Sequence, residues 1–453
     1  MSYCGYVTTL KNVRPHPNAD RMKLADCFGN TVCVGLNEVE GEFGVYFPTD
    51  GQLSVEFCAQ NDLVRRKDEN GNPAGGYLDP DKRNIRAIKL RGEKSDGLFM
   101  PISAFAYTGV NFDEWDIGTT ITVVNGHEIC QKYIPKSNKR SNMSTGNRTR
   151  KHKDPIAPLF QEHADTEQLA YNLSAFKPGD EIEITLKMHG TSQRTANLPV
   201  FQGYKRTFWD KLFRREGTPI YNWGGVSGTR RVVLDSYDGG FYGSNEFREQ
   251  HSKTFEGKLW KGETVYYEVV GFTHTGTPIM ASCDNKKISD KEFIKQYGKE
   301  TVLSYGCSPR VLTFDDTDGR NQRVVGQSDI YVYRMTMTNE DGEVVEYTPD
   351  FMRYRCEQMG VKTVPVLWKG VIPDVSPSYA GEWIKDVAEQ YYDGPDPIGK
   401  THVREGVVVR ILNRPKFTAY KHKNFHFKVL EGIVKDVAEA PDMEEAQGLE
   451  EGE

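Results

Sequence analysis

Between Asp180 and Gln193 a short alternating run carries Lys187 at its end and Gly190 three residues later. A lysine amine attacks an electrophile only when neutral. With a free pKa of about 10.4, roughly one amine in 2,500 is neutral at pH 7. A reactive lysine therefore needs company that lowers its pKa by about three units, and neighbouring cations are one such cause. Later segments carry groups of the right type. Gly225 to Leu234 is a glycine-punctuated turn into a strand, with Arg230 and Arg231. Glu263 to Phe272 sets Glu268 inside an otherwise apolar strand, where a carboxylate is costly unless paired or bound to a ligand or metal. Asp329 to Met335 is an aromatic strand that offers Tyr333 as a stacking surface. Arg404 to Ile411 and Tyr420 to Gly432 bring Glu405 and the pair Lys421/Lys423, whose spacing of two places both ammonium groups on one face of a strand. Singly, each has an ordinary structural explanation: Glu268 as an ion-pair partner, Tyr333 as core, the two lysines as guard charges on an edge strand. Their order along the chain is what makes the set informative.

The elements that must position these groups can be read from periodicity. In the Lys187 segment, Ile182, Ile184 and Leu186 alternate with Glu183, Thr185 and Lys187, so a strand delivers the lysine opposite an apolar face. From 157 to 432 strands alternate with helical patterns, including a helix around Trp383 to Tyr391, which reads as α+β. Residues 1–133 are short β-type runs separated by Gly-Asn, Asn-Gly and Asp-Gly turns, the spacing of a small β-barrel. Residues 134–156 form a basic linker: Lys136 to Lys153 holds seven Lys or Arg and no acid. Residues 433–453 form an acidic tail, with eight Asp or Glu after Lys435.

The set resembles the covalent nucleotidyltransferase superfamily of ligases and capping enzymes. Lys187-Met-His-Gly190 looks like its nucleophile motif, and the segments around Glu268, Glu405 and Lys421/Lys423 look like its later motifs. Within it, the chain is most similar to ATP-dependent RNA ligases with an N-terminal OB-like domain. Leu90 to Pro101 is similar to the segment that closes that first domain. The superfamily's commonest pattern has Asp where this chain has His189, a departure shared with some RNA ligases. The resemblance implies an OB-like barrel followed by a nucleotidyltransferase domain, with ATP as cofactor and Mg2+ or Mn2+ as the metal. It also implies roles: Lys187 carries AMP, Gly190 contacts the nucleotide, Glu405 binds the metal, Glu268 holds the ribose hydroxyls and Tyr333 stacks on adenine. Arg230 would hold the ribose or the RNA 5′-phosphate, with Arg231 and Arg206 as alternatives. Lys421 and Lys423 would depress the Lys187 pKa and stabilise charge on the α-phosphate. The implied reaction joins RNA 3′-OH and 5′-phosphate ends through Lys187–AMP and adenylylated RNA.

Three further readings concern the substrate. Val13 to Leu24 is similar to the entry of OB-type tRNA-binding modules, which suggests RNA contact by the first domain. Lys205 to Arg215 patterns as a short helix with Phe208, Trp209 and Leu212 towards the protein and five basic residues outward, either a phosphate clamp or a solvated insertion. After Gly432 only 21 residues follow, too few for the C-terminal OB domain of DNA ligases, which need roughly 70. A DNA ligase, or a non-catalytic RNA-binding protein on a ligase scaffold, is the alternative. A net charge of −6 argues against a globally basic binder. No run of roughly 18–20 apolar residues suggests a membrane span. The eight scattered cysteines contain no CxxC pair, and the start lacks the layout of a signal peptide. These point to a soluble cytoplasmic protein, and a monomer is the expected state.

Overall fold

The computed structural model describes residues 3–133 and 156–430, apart from 50, 68–72, 77, 164–165, 214, 216, 231, 235–236, 238–245, 286–290, 315–321 and 429. The expected linker (save Ile156), the acidic tail and Arg231 lie outside the described residues. Two compact units are drawn from the chain. The first takes residues from Met1–Lys136, Gln168–Leu173 and Phe425–Asp436, the second from Ser137–Glu167 and Ser174–Asn424.

In the first unit, β1 (Gly5–Thr9), β2 (Lys11–Pro15), β3 (Lys23–Cys27), β4 (Asn30–Val34), β5 (Phe43–Phe47), β6 (Leu98–Pro101) and β7 (Thr120–Ile121) form two principal sheets. Their orders are β6-β5-β1-β7 and β2-β3-β4. Helix α1 (Val55–Gln60) starts at Ser54, whose side chain accepts the Phe57 N–H, and buries Phe57 and Cys58. Val7, Val45, Phe47, Phe57 and Phe105 build one core; Leu10, Ala25, Val32, Tyr46 and Phe99 build a second. The sequence leads to the expectation of one barrel, but the described strands form separate sheets that do not close. Turn spacing predicts strands; closure depends on pairings between remote strands, which local spacing does not encode.

The second unit contains two larger sheets. Strands β8 (Glu181–Lys187), β16 (Val366–Val371), β17 (Gly406–Ile411) and β18 (Thr418–Lys423) run antiparallel in the order β18-β17-β8-β16. The other sheet takes β9 (Thr191–Lys205), β10 (Thr218–Gly228), β11 (Val233–Leu234), β12 (Glu263–Gly271), β13 (Ser328–Thr338) and β14 (Val344–Glu346) in the order β11-β10-β9-β12-β13-β14. A short strand β15 (Lys362–Thr363) joins β13 in parallel. All nine residues of β12 are buried, because it lies between β9 and β13. Its Glu263 is tolerated there because Arg355 donates twice to it at 2.8 Å and the Tyr347 hydroxyl once at 3.0 Å.

The helices are α2 (Phe208–Leu212), α3 (Glu246–Lys253), α4 (Pro349–Met359) and α5 (Ala380–Glu389), with a further short helix at Lys291–Tyr297. Helix α4 has Thr348 as N-cap, proline at its first position and Gly360 in the left-handed conformation after its end. Helix α5 falls where the sequence places one, shifted by about one turn. All eight cysteines are free thiols. Among the described residues no helix is long and apolar enough to cross a membrane.

Candidate active site

Strand β8 behaves as its alternation predicts. Ile182, Ile184 and Leu186 are buried, while Glu183, Thr185 and Lys187 line a cavity of about 130 Å3. Register then assembles the site. Lys187 lies opposite Gly406 in β17, and Gly406 lies opposite Lys423 in β18. Three neighbouring strands therefore end together, and Glu405, just ahead of β17, is held between two lysines. The Lys187 Nζ is 2.7 Å from Glu405 Oε1 and the Lys423 Nζ is 3.4 Å from the same oxygen, while His189 Nδ1 is 3.5 Å from Oε2. Glu405 is 1 % exposed. Burial alone would raise its pKa, but Lys187, His189 and Lys423 outweigh that and hold the carboxyl well below the usual range.

Gly190 also serves the packing of the two sheets. A Cβ there would lie 2.3 Å from the Val269 carbonyl oxygen, so the backbone packs directly onto β12. Its N–H donates to Glu268 Oε1 at 3.1 Å, and the preceding His189 N–H donates to the Tyr305 hydroxyl at 2.8 Å. The Tyr305 ring also meets His402 edge-on, with centroids 4.6 Å apart. The turn after Lys187 is thereby pinned at two successive amides, one to β12 through Glu268 and one to the loop that carries Tyr305.

Glu268 and Tyr333 line the same cavity. Tyr333 sits where the register of β12 against β13 slips: Tyr266 pairs with Arg334 and Tyr267 with Val332, which leaves Tyr333 as the extra residue of a bulge. Bulges re-aim side chains. Its hydroxyl lies 3.0 Å from Ser192 Oγ, and its ring meets His163 edge-on at 4.9 Å. Arg230 lines the cavity, whereas Arg206 is exposed on the loop beside α2 and is not among the lining residues. Lys421 is half-buried and shares its strand face with Ala419, a lining residue.

The cavity also contains groups that motif reading misses. His163 comes from an irregular segment with no period to reveal it. Burial, then the charges of Arg334 and Arg230, push its pKa well below the ordinary value, so the ring is neutral. Its Nδ1 is 3.3 Å from Arg334 Nη1 and must accept, which places the ring proton on Nε2. Glu183 and Arg353 form an ion pair of 2.8 Å in the cavity wall. Arg410 and Phe417 complete it, the guanidinium carbon 4.9 Å from the ring centroid. Glu183 was within reach of the sequence, since it shares strand parity with Lys187; Arg410 was not, because it reaches the cavity through its register opposite Glu183.

A cavity of about 580 Å3, lined by β9, β10, α3 and the loop after it, is larger but holds neither Lys187 nor Glu405. The smaller one, which holds Lys187, is the candidate site. Among the described residues no group of three or more His, Cys, Asp or Glu could hold a metal unaided. Glu405 offers a single buried carboxylate. That donor set suits Mg2+ or Mn2+ bound jointly by protein and substrate oxygens, because Mg2+ is commonly held by one or two carboxylates plus phosphates.

No family model matches the chain, and no curated relative does. Solved structures do. A mutant of the Naegleria gruberi RNA ligase with ATP and Mn superposes with a TM-score of 0.53 at 15% identity, covering 95% of this chain and 98% of that one. A second mutant with AMP and Mn gives 0.53 at 16%, covering 95% and 99%. The same ligase with PPi gives 0.53 at 16%, covering 93% and 97%. The chain has the fold of an RNA ligase. In this RNA-ligase fold, the cavity at the end of β8 gathers Lys187, Glu268, Tyr333 and Arg230 from separate stretches of sequence, with Glu405 and Lys423 beside Lys187.

Proposed function

We propose that the protein is an ATP-dependent RNA ligase that joins 3′-OH and 5′-phosphate ends. The observation that carries this reading is the convergence of Lys187, Glu405 and Lys423 within 3.4 Å at one end of three adjacent strands, beside a cavity with an aromatic wall. The Naegleria gruberi enzyme's structures with ATP, AMP and PPi support it, since AMP and pyrophosphate are the two products of splitting ATP at its α-phosphate.

In this reading the neutral Lys187 amine attacks the α-phosphorus. A P–N bond forms, the P–O bond to pyrophosphate breaks, and the amine proton is lost to solvent. An oxygen of an RNA 5′-phosphate then displaces Lys187, giving adenylylated RNA. A 3′-hydroxyl attacks that activated phosphate and releases AMP. Tyr333 stacks on the base, Glu268 accepts from the ribose hydroxyls, and Arg230 holds the ribose or the incoming 5′-phosphate with its planar fork. Lys421 and Lys423 stabilise charge on the α-phosphate. Glu405 holds the metal, which when bound withdraws negative charge from the phosphates. A reducing, cytoplasmic setting is supported by eight free thiols.

The test is transfer of label from ATP. Label on the α-phosphate should attach covalently to the protein and label on the γ-phosphate should not. Both Lys187→Ala and Lys187→Arg should abolish attachment, since a guanidinium stays protonated. Wild-type labelling of Lys187→Ala would remove the proposal.

A further inference from the structure

The hairpin that joins β9 to β10 ends in a surface the nucleotide cavity does not use. Its tip reverses the orientation expected from sequence. Phe208 is 73% exposed, Trp209 63%, Leu212 58% and Phe213 61%, so the apolar side of α2 faces solvent. The rings are ordered against one another. Trp209 and Phe213 lie with centroids 6.0 Å apart and planes within 15°, and Phe208 meets Trp209 edge-on at 5.8 Å. Lys205, Arg206 and Arg215 are exposed around them, and the Arg215 guanidinium lies 5.7 Å from the Phe213 ring. Asp210, an acid in the same tip, is turned inward on the loop, accepting from the Thr207 N–H at 2.8 Å and from the Thr207 hydroxyl at 2.6 Å. Further aromatics continue down the arm: Phe201 meets Tyr204 at 5.0 Å and Tyr221 at 5.8 Å.

Three large apolar side chains on a five-residue helix, with Phe213 directly after it, form a concentrated exposed patch, and such patches mark interaction sites. The rim decides the partner. Near-parallel aromatic faces bordered by guanidinium groups match a chain of flat bases on an anionic backbone, the combination that binds single strands. The arm also leads to the site, because Ser192 at the Tyr333 hydroxyl and Lys205 at the tip belong to one strand, β9. Thirteen residues of extended chain span roughly 40 Å.

We propose that this tip is a stacking platform for the single-stranded part of the RNA substrate, with bases on Trp209 and Phe213 and phosphates on Arg206 and Arg215. This rests on the RNA-joining reading and adds to it a subsite remote from the reacting ends. Only an RNA long enough to bridge the distance engages both sites.

The experiment uses the full-length protein and single-stranded RNA oligonucleotides of about 6 and about 24 nucleotides, lengths around and beyond a single binding site. The Trp209→Ala/Phe213→Ala double variant should lose roughly ten- to hundred-fold in affinity for the longer RNA. It should also seal long substrates less well, while self-adenylylation and sealing of short RNA stay at wild-type levels. Trp209→Phe should retain most of the affinity. Arg206→Gln/Arg215→Gln should lower the salt dependence of binding by roughly one to two ions released. Unchanged affinity for the long RNA in both double variants would overturn the platform. Binding of wild type, but not of the aromatic variant, to phosphatidylserine vesicles with RNA affinity unchanged would assign the tip to a membrane surface and overturn it equally. Absence of self-adenylylation in the wild type would sink the ligase reading, and the affinity measurements would still judge the tip.

Discussion

A carboxylate 2.7 Å from an amine favours the charged ammonium, so Glu405 as placed works against Lys187 as a nucleophile. Under the proposed function Glu405 would hold a cation together with the nucleotide, and Lys187 would then answer to Lys423 instead of to the carboxylate. Removing the carboxylate should therefore slow the reaction even though it frees the amine. Glu405→Gln and Lys423→Ala are each expected to lower the self-adenylylation rate by 10²-fold or more, about 3 kcal/mol of barrier. Normal single-turnover rates in both, with folding intact, would show that the two groups do not serve the reaction. Tyr305 acts one step further out, as a positioning residue, through the His189 amide it accepts. Tyr305→Phe leaves that N–H without its acceptor, at a cost of about 1–3 kcal/mol. The expected result is a fall in kcat for adenylylation of roughly ten-fold with the KM for ATP little changed, because the turn after Lys187 loosens while the cavity walls remain. A fall in stability alone, with kcat intact, would make Tyr305 merely structural. At this scale the sequence was most legible: Lys187, Glu405 and Lys423 could be singled out by type and order. Gly190 could be found but not explained, since the close approach of β12 is a tertiary fact.

Elements were legible where period and burial agree. The alternation in β8 fixes which side chains share the cavity, and the largely apolar run of β12, interrupted by Glu268, marks a strand covered on both faces. The tip helix α2 shows the limit. Its spacing groups Phe208, Trp209 and Leu212 correctly, but periodicity says which residues share a face and not whether anything packs against it. Helix α3 supplies an element-scale prediction. His251 is buried, with Nε2 2.8 Å from Ser328 Oγ on β13. Burial is the main cause of a pKa lowered to about 4; Arg248 and His274 add to the lowering and Asp329 opposes it. The folded state thus keeps the ring neutral down to about pH 4, whereas the unfolded chain protonates it near 6.5. Between those values the unfolded state binds more protons, so stability rises with pH. The contribution is complete above pH 6.5 and is lost as pH falls towards 4, up to about 3 kcal/mol for a shift of this size. Urea unfolding at pH 7.5 and pH 5 should show about 2 kcal/mol of that drop in the wild type and a shallower one in His251→Gln. Equal pH slopes would mean that His251 titrates normally.

At the scale of the whole molecule, the chain enters its first unit three times, through the N-terminal stretch, through Gln168–Leu173 and through the residues that follow Asn424. Turn spacing and composition point to a boundary at residue 133, but they cannot show that later segments return. The returning pieces are bound in. Tyr171 stacks on Tyr6 with centroids 4.7 Å apart, and Lys428 pairs with Asp96, both largely buried. Leu169, Phe427 and Leu430 have no more than 1% of their surface exposed. Cutting the chain after residue 133 therefore does more than remove a substrate-handling module. It strips the strands from segments that remain in the shortened protein. Exposing two leucines and a phenylalanine costs on the order of 5 kcal/mol by their transfer energies, and it creates a new apolar surface. A chain starting at residue 134 should consequently bind a hydrophobic dye, aggregate at lower temperature than the full protein and lose neither property when salt is lowered. Lys428→Ala in the full chain should destabilise the first unit by about 3–5 kcal/mol, because it leaves Asp96 buried without its cation. The measurements are dye binding and thermal unfolding of the three proteins side by side. A truncated protein that melts and binds dye like the full chain, together with an unaffected Lys428→Ala, would mean that the returning segments are only lodged against the first unit. Residue 133 would then be a true boundary, and loss of RNA sealing on truncation could be assigned to lost substrate contact alone.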